Sequence, residues 1–448
     1  MTTMPYHERY RSQYHFTARQ NWLNDPNGLV YYEGTYHLFF QHNPQGTEWG
    51  NMTWGHAVSS DLLRWRQVHD ALLPDALGTM FSGSAVVDWN NTAGFQQRDM
   101  KTIVLIYTAA GGSSEESKGQ RFTQCIACST DGGKSFTKYA HNPILGNVIH
   151  DNRDPKAIWH APTRRWIMAL YLDQDVFGLF ASPDLKAWAR LQDIEMPGCS
   201  ECPDFFEMPV EGMPAERRWV YTASNGRYLV GAFDGYRFAP EFSAPRVVDY
   251  GANIYAVQTY SDMPDGRRVQ MAWMAGGIYP GMPFNQQMSF PCELRLARFE
   301  KGLRLLRTPV AEAASLHART TNRADLKLDS SASVHELSWF DLLDIEMDAA
   351  LDRNSEFTLR LSGEKLTYSA ATGQLSCLGR TAIVAPQDGR IRLRILLDRT
   401  SIELFVNDGE ISMTSCSLAD TAKAGAAIYG HDVLMKSLRV SEMQSIWD

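Results

Sequence analysis

The chain has 448 residues, 44% hydrophobic and 21% charged, with a formal net charge of −8, so it reads as a globular protein of about two domains and not as a nucleic-acid or anionic-membrane binder. No stretch approaches the roughly 18 apolar residues of a membrane span, and the start "MTTMPYHERYRSQYHF" lacks a signal peptide's apolar core. Seven cysteines, an odd number, fit a reducing compartment better than a disulfide framework, so the expectation is a cytoplasmic chain as written, secreted if a signal has been removed.

In chain order, the first signal is "NWLNDPNGL" at positions 21–29. Pro26 fixes its own φ and holds Asp25 extended, and Asn27-Gly28 is expected to reverse the chain. "GLVYYEGTYHLFFQ" follows as a hairpin about Glu33-Gly34, and "KTIVLIYTAA" as a further strand. A repeat then appears in "SSDLLRW", "STDGGKSF", "SPDLKAW" and "AFDGYRF". Its aspartates are Asp61, Asp131, Asp184 and Asp234, separated by 70, 53 and 50 residues. That period suits four-stranded propeller blades, with each Asp closing a hairpin turn through backbone N–H groups. Four copies plus flanking sequence predict about five blades, over residues 1–307.

Near Leu306 the pattern changes. Residues 308–327 read as a linker with a short helix at most. Residues 328–448 read as a β-sandwich, because Ile391, Leu393, Ile395 and Leu397 alternate with Arg392 and Arg394. Asp398-Arg399-Thr400 and Asn407-Asp408-Gly409 mark turns there. The fold class expected is all-β, a five-bladed β-propeller followed by a β-sandwich.

Three acids share one phase of the repeat. Asp25 precedes Asp61 by 36 residues, Asp154 precedes Asp184 by 30, and Glu201 precedes Asp234 by 33. Equivalent positions on inner propeller strands converge on one axis, so three carboxylates are expected at one funnel mouth. Crowded like charges separate their pKa values, as glycoside hydrolysis requires of a nucleophile and an acid. Arg153 is expected to keep Asp154 ionised. The apolar neighbours Cys199, Cys202, Pro203, Phe205 and Phe206 are expected to favour a protonated Glu201.

At this point the chain resembles glycoside hydrolase family 32, the invertase, inulinase and levanase group. The resemblance rests on "NWLNDPNG", "QHNPQGTEWGNMTWGHAVSSDLLRW", "FSGS", "RDP", "ECPDFFEMP" and "GMPFNQQMSFPCELRL", in that order, with a looser likeness through "LLDRTSIELFVNDG". It implies a retaining β-fructofuranosidase acting on terminal β-D-fructofuranosyl units of sucrose, fructo-oligosaccharides or fructans. It implies Asp25 as nucleophile, Glu201 as acid/base and Asp154 as transition-state stabiliser, with no metal and no cofactor. It also implies substrate contacts from Asn24, Gln41, Trp49, Phe81, Ser82, Arg153 and Trp273, with Trp22 beside them. The three tryptophan and phenylalanine positions Trp22, Phe81 and Trp273 have core filling as their bland alternative. Cys292 stands where family members often carry Arg, and Ala18 where some carry Pro.

Rival readings remain open at this level. A fructosyltransferase would use the same carboxylates; a non-catalytic sugar-binding propeller would need none of them. An arabinosidase or xylosidase is a propeller alternative that the motif set disfavours. Zinc at Cys125-x-x-Cys128 and Cys199-x-x-Cys202 is disfavoured, since an offset of three on a strand sends two thiols to opposite faces. The expected partner is a small or oligomeric fructoside, with no nucleic acid or membrane, and a homodimer through the sandwich stays open.

Overall fold

A computed structural model describes residues 6–330, 332–418 and 423–447. Four-stranded groups follow one another. Blade 1 is β1 (Asn21–Tyr32), β2 (Thr35–Asn43), β3 (Thr53–Ser59) and β4 (Arg66–Gln67). Blade 2 is β5 (Thr79–Asp88), β6 (Thr102–Ala110), β7 (Thr123–Ser129) and β8 (Thr137–Lys138). Blade 3 is β9 (Arg153–His160), β10 (Arg165–Asp173), β11 (Val176–Ser182) and β12 (Ala189–Glu195). Blade 4 is β13 (Asp204–Val210), β14 (Met213–Thr222), β15 (Tyr228–Phe233) and β16 (Phe238–Pro240). Blade 5 is β17 (Ile254–Thr259), β18 (Arg268–Met274), β20 (Cys292–Phe299) and β21 (Gly302–Pro309), with β19 (Phe284–Asn285) in an excursion between β18 and β20. The first strands β1, β5, β9, β13 and β17 adjoin one another in a closed ring and line the axis. The fold is a five-bladed propeller.

The repeated aspartates are turn formers. Asp61 accepts from Leu63 N and Arg64 N at 3.0 and 2.8 Å, and Asp234 from Tyr236 N and Arg237 N at 2.8 and 2.7 Å. Asp131 and Asp184 do the same in their blades. Each turn joins the third strand of a blade to the fourth. Blade 5 makes that connection through Glu300-Lys301 without an Asp, so the repeat shows four copies and the ring five blades.

Each seam between blades is an apolar cluster. Phe39 and Trp54 meet Ile103 and Leu105 between blades 1 and 2; Phe177 meets Phe205 and Tyr221 between blades 3 and 4. Each such side chain, fully buried, contributes about 1.5–3 kcal/mol. The ring closes where β19 pairs in parallel with β1, Asn21 opposite Phe284 and Trp22 opposite Asn285.

Two expectations need correction. Asn27-Gly28 does not reverse the chain: β1 runs through it, with register shifts between Leu23 and Pro26 and between Asn27 and Val30. Gly28 has φ +53°, and a Cβ there would lie 2.6 Å from the Phe39 ring, so the residue types that suit a turn here build a doubly bulged strand. Residues 308–327 are not a linker either. A 3-10 turn spans Ala311–Leu316, and β22 (His317–Leu328) pairs with β31 (Ala426–Met443) along its length. β22 is polar and largely exposed, which hid its strand character.

The sandwich carries β22, β23 (His335–Ser338), β24 (Leu343–Leu361), β25 (Glu364–Ser369), β26 (Gln374–Cys377), β27 (Arg380–Ile383), β28 (Arg390–Asp398), β29 (Ser401–Val406), β30 (Ile411–Cys416) and β31 around one core. In β28, Ile391, Leu393, Ile395 and Leu397 are buried, as their alternation predicts.

A buried ion cluster ties the two bodies together. His15 sits between Asp398 Oδ2 and Glu403 Oε2, 2.8 Å from each, and Arg307 Nη2 lies 3.5 Å from Glu403. Burial alone would lower the His15 pKa, but the two carboxylates outweigh it and raise it from 6.5 to about 9. Burial likewise opposes Asp398 and Glu403, and His15 outweighs it and holds both below the usual carboxylate range.

The signs fix a stability window. A raised His pKa gives stability that is full below 6.5 and lost as pH rises toward about 9. Lowered carboxylate pKa values give stability present above their unfolded values and lost in acid. Denaturant unfolding should therefore show stability falling from pH 6.5 to 9 in the native protein, with a shallower fall in His15→Gln. His15→Gln should also be destabilised by about 3–5 kcal/mol at pH 6, because Asp398 would stay buried without its cation and Glu403 with Arg307 alone.

Candidate active site

Three blades deliver their acids to one place. Asp25 lies early in β1, Asp154 is the second residue of β9, and Glu201 stands three residues before β13. The Cys202 backbone N donates to Asp154 Oδ2 at 3.0 Å. The Cys202 thiol lies 3.5 Å from both Asp25 Oδ2 and Asp154 Oδ2. Burial, then the charges of Asp154 and Asp25, push that thiol well above its usual pKa, so it is a neutral S–H donor at the centre of the cluster.

Each carboxylate has its own surroundings. Asp25 accepts from Ser82 Oγ at 2.6 Å and from Asn24 Nδ2 at 3.0 Å, while the Trp22 indole N–H donates to Asn24 Oδ1 at 2.8 Å. Burial raises the Asp25 pKa, and the Ser82 and Asn24 bonds oppose the rise. Asp154 is 6% exposed, and its backbone N donates to Thr108 Oγ1 at 3.0 Å. Burial raises its pKa to about 7 against the pull of Arg153, and the charges of Glu201 and Asp25 add to the rise. Glu201 is more open than Asp154, its side chain 28% exposed.

The environment of Glu201 differs from expectation. Arg153 donates to Glu201 Oε1 through Nε at 3.2 Å and Nη2 at 2.7 Å, and stands 4.0 Å from Asp154. Its guanidinium lies over the Tyr171 ring at 4.8 Å. The Tyr255 hydroxyl donates to Glu201 Oε2. Glu201 is therefore in a polar, charge-paired setting. Phe205 and Phe206 point away into opposite blade seams, as successive strand residues do.

Backbone conformation marks the same residues. Asp154, Glu201 and Cys202 have φ of +64°, +55° and +43°, a left-handed region that costs non-glycine residues about 1–3 kcal/mol each. Neighbouring bonds hold them there, including Ser224 N to Glu201 O at 3.1 Å.

Aromatic rings form the rim. Trp22 and Trp273 meet edge to face at 6.0 Å, and Tyr255 meets Trp273 at 6.1 Å. Trp273 donates to Gln286 Oε1 at 3.0 Å. Across the mouth, Trp49 abuts Phe81 at 6.0 Å and Phe81 abuts Phe122 at 5.4 Å. Trp49 is 57% exposed. Trp22, Phe81 and Trp273 are half-buried and do not belong to the sealed core. Gln41 is buried beneath β1, one step removed from the acids. Its Nε2 donates to the Asn27 carboxamide at 2.9 Å when that amide is turned to donate to Ser82 Oγ at 3.2 Å.

Sequence reasoning missed Cys202, Tyr255, Asn27 and Thr108 at this site. The Cys202 signal was the adjacent Glu201. The others meet the acids only through the fold. Cys125 packs in the seam of blades 1 and 2, while Ile126 faces the other seam, so Cys125 and Cys128 leave β7 on opposite faces. All seven cysteines are free. Cys292 is buried in the cluster joining blades 1 and 5 to the sandwich, and Ala18 O accepts from Arg11 Nη1 at 2.6 Å.

A propeller with three carboxylates at the head of its inner strands, joined to a β-sandwich, defines a class of sugar-cleaving enzymes. Residues 15–309 match the N-terminal domain of glycosyl hydrolases family 32, and residues 305–442 match that family's C-terminal domain. The chain belongs to glycoside hydrolase family 32 and is a hydrolase. It is 37% identical to the levanase of Bacillus subtilis, over 99% of this chain and 72% of that protein. It is 30% identical to the extracellular exo-inulinase inuE of Aspergillus niger, over 92% of this chain and 90% of that protein. The exo-inulinase structure from Aspergillus awamori superposes with TM-score 0.90 at 27% identity, covering 99% of this chain and all of that one. The Schwanniomyces occidentalis fructofuranosidase complexed with fructose gives 0.88 at 28%, covering 99% and 100%. No helix among the described residues is long and apolar enough to cross a membrane.

The coupling between the acids can be read directly. In Glu201→Gln or Asp25→Asn, one repelling charge is gone, so the Asp154 pKa should fall from about 7 toward its usual range. A carboxyl carbon-13 NMR titration checks this, and an unmoved Asp154 titration would show the acids to be uncoupled.

Proposed function

We propose that the protein is a retaining β-fructofuranosidase. It would release terminal non-reducing β-D-fructofuranosyl units from sucrose, fructo-oligosaccharides or fructans. The observation that carries this reading is the unequal treatment of three carboxylates within one pocket. Asp25 is oriented by Ser82 and Asn24, Asp154 is buried under the Cys202 amide, and Glu201 is partly open beside Arg153. The levanase, exo-inulinase and fructofuranosidase names of the relatives support the substrate class.

In this mechanism Glu201 gives its proton to the glycosidic oxygen of the leaving group. Asp25 Oδ attacks the anomeric carbon as that bond breaks, and a fructosyl ester forms. Glu201, now a carboxylate, takes a proton from water, whose oxygen displaces Asp25 and restores the configuration. Asp154 is too buried to attack and would accept fructose hydroxyls, strengthening those bonds as positive charge grows on the ring. Arg153 would steady Glu201 through its ionised stage. Trp22, Trp49, Phe81 and Trp273 offer flat faces for the C–H sides of sugar rings. Gln41 would act through Asn27 and Ser82 on Asp25. The inuE relative is named extracellular, and fractionation distinguishes a cytoplasmic from a secreted protein.

Fructose release from sucrose, kestose, inulin and levan tests the reading. Asp25→Asn and Glu201→Gln should each lower kcat by about 10³-fold or more with melting temperature retained, and NMR should show the β-anomer appearing first. Absence of fructose from all four substrates with the native protein, or full activity in Asp25→Asn, would sink it.

A further inference from the structure

The propeller channel has a second mouth. Ser82 and Asp154 stand near the starts of β5 and β9 at the carboxylate end, and both strands then run toward the opposite face. There a pocket of about 210 Å³ opens, lined by Trp89, Lys156, Trp159, Asp204, Asp262 and Arg268 among others. That volume is far more than the 10–15 Å³ or so that one water needs.

The lining has features of a built site. Asp204 is fully buried, and its Oδ2 accepts from Thr259 N and Thr259 Oγ1 at 2.7 and 2.8 Å. Its Oδ1 has no hydrogen-bond partner among the described residues. A buried carboxylate oxygen without a donor is costly unless something else supplies one. Asp262, at φ +60°, accepts from Val87 N at 3.1 Å and from the Trp89 indole N–H at 2.8 Å. That bond pins an indole that is 49% exposed at the pocket's edge. The Arg268 guanidinium donates to Tyr260 O at 3.2 Å and lies over the Phe206 ring at 4.8 Å.

The charges identify the ligand's class. Lys156 Nζ lies 3.6 Å from Asp204 Oδ2, and with Arg268 and Asp262 the lining carries two charges of each sign. An anion would meet two carboxylates and a metal cation two fixed positive charges. A neutral molecule rich in hydroxyls meets no repelling charge, and each hydroxyl can donate to a carboxylate or accept from a cation. Its C–H face would suit an indole.

We propose that this far mouth is a second sugar site, taking one neutral monosaccharide-sized polyol. A ligand hydroxyl donates to Asp204 Oδ1, the Arg268 guanidinium donates to a ligand oxygen, and the ring lies on Trp89. The site is separate from the three carboxylates and has no part in bond cleavage.

Calorimetric titration with D-fructose and with D-glucose, on the native protein, Trp89→Ala and Trp89→Phe, tests this. Trp89→Ala should lose one binding event, weakened tenfold or more, while Trp89→Phe keeps it. Cleavage of sucrose is assayed on the same samples and should keep its kcat/KM within twofold, so a failure of the proposed activity is seen apart from a failure of this site. A crystal soaked in the sugar that binds should show it against Trp89. Matching isotherms for native protein and Trp89→Ala with both sugars, including no heat from either, would overturn the proposal.

Discussion

Ring closure is the constraint on which the rest depends. A flat sheet leaves its first strand at an edge, whereas five sheets packed face to face around an axis turn every first strand inward. The seams that hold the ring are ordinary apolar clusters, and β19 completes it by adding to β1. Once the ring is closed, whatever stands at the head of an inner strand faces the axis. Asp25, Asp154 and Glu201 come from different blades and are far apart in sequence, yet Cys202 touches two of them and directly follows the third. The sandwich acts on the same constraint from outside, because His15 and Arg307 of the propeller end in the sandwich carboxylates Asp398 and Glu403.

Convergence has a cost. Two like charges about 4 Å apart repel by about 4 kcal/mol at an effective dielectric of 20, and the left-handed backbone at Asp154, Glu201 and Cys202 adds to it. Several local features offset this. Arg153 supplies one full positive charge, and Ser82, Asn24, Tyr255 and the Cys202 amide supply directed donors. The raised Asp154 pKa lets one carboxyl carry a proton near neutrality. Such a site is stable only because the surrounding seams over-determine it, as strained positions at functional sites require.

Much of this was legible in sequence, for identifiable reasons. The propeller showed itself because an Asp-closed turn recurs where the third strand meets the fourth in four blades, and the fifth blade hid because Glu300-Lys301 makes that turn without Asp. The acids were found by phase, a property that survives folding. What failed was inference from adjacency. Arg153 neighbours Asp154 in sequence, yet its guanidinium hydrogen-bonds Glu201 and only stands 4.0 Å from Asp154, whose pKa burial raises all the same. Phe205 and Phe206 follow Glu201 closely but serve the seams. Tyr255 lies 54 residues from Glu201 and donates to it, a contact for which the chain carries no local mark. The Asn27-Gly28 pair misled differently: a positive φ serves a bulge as readily as a turn.

The "NDPNG" segment shows why the bulge matters more than a turn would. A reversal at Asn27-Gly28 would leave Asp25 at a hairpin tip, free to move with the loop. Instead β1 continues through it, paired to β2 from Trp22 to Tyr32 on either side of two register shifts. The carboxylate is thus carried by a strand whose neighbours are fixed on both flanks. Asn24 before it and Asn27 after it lie in the same bulged stretch, and Asn24, Ser82 and the Gln41–Asn27 pair all bear on Asp25 from within the protein. A reactive group held this way loses little freedom when substrate arrives, so less binding energy is needed to align it.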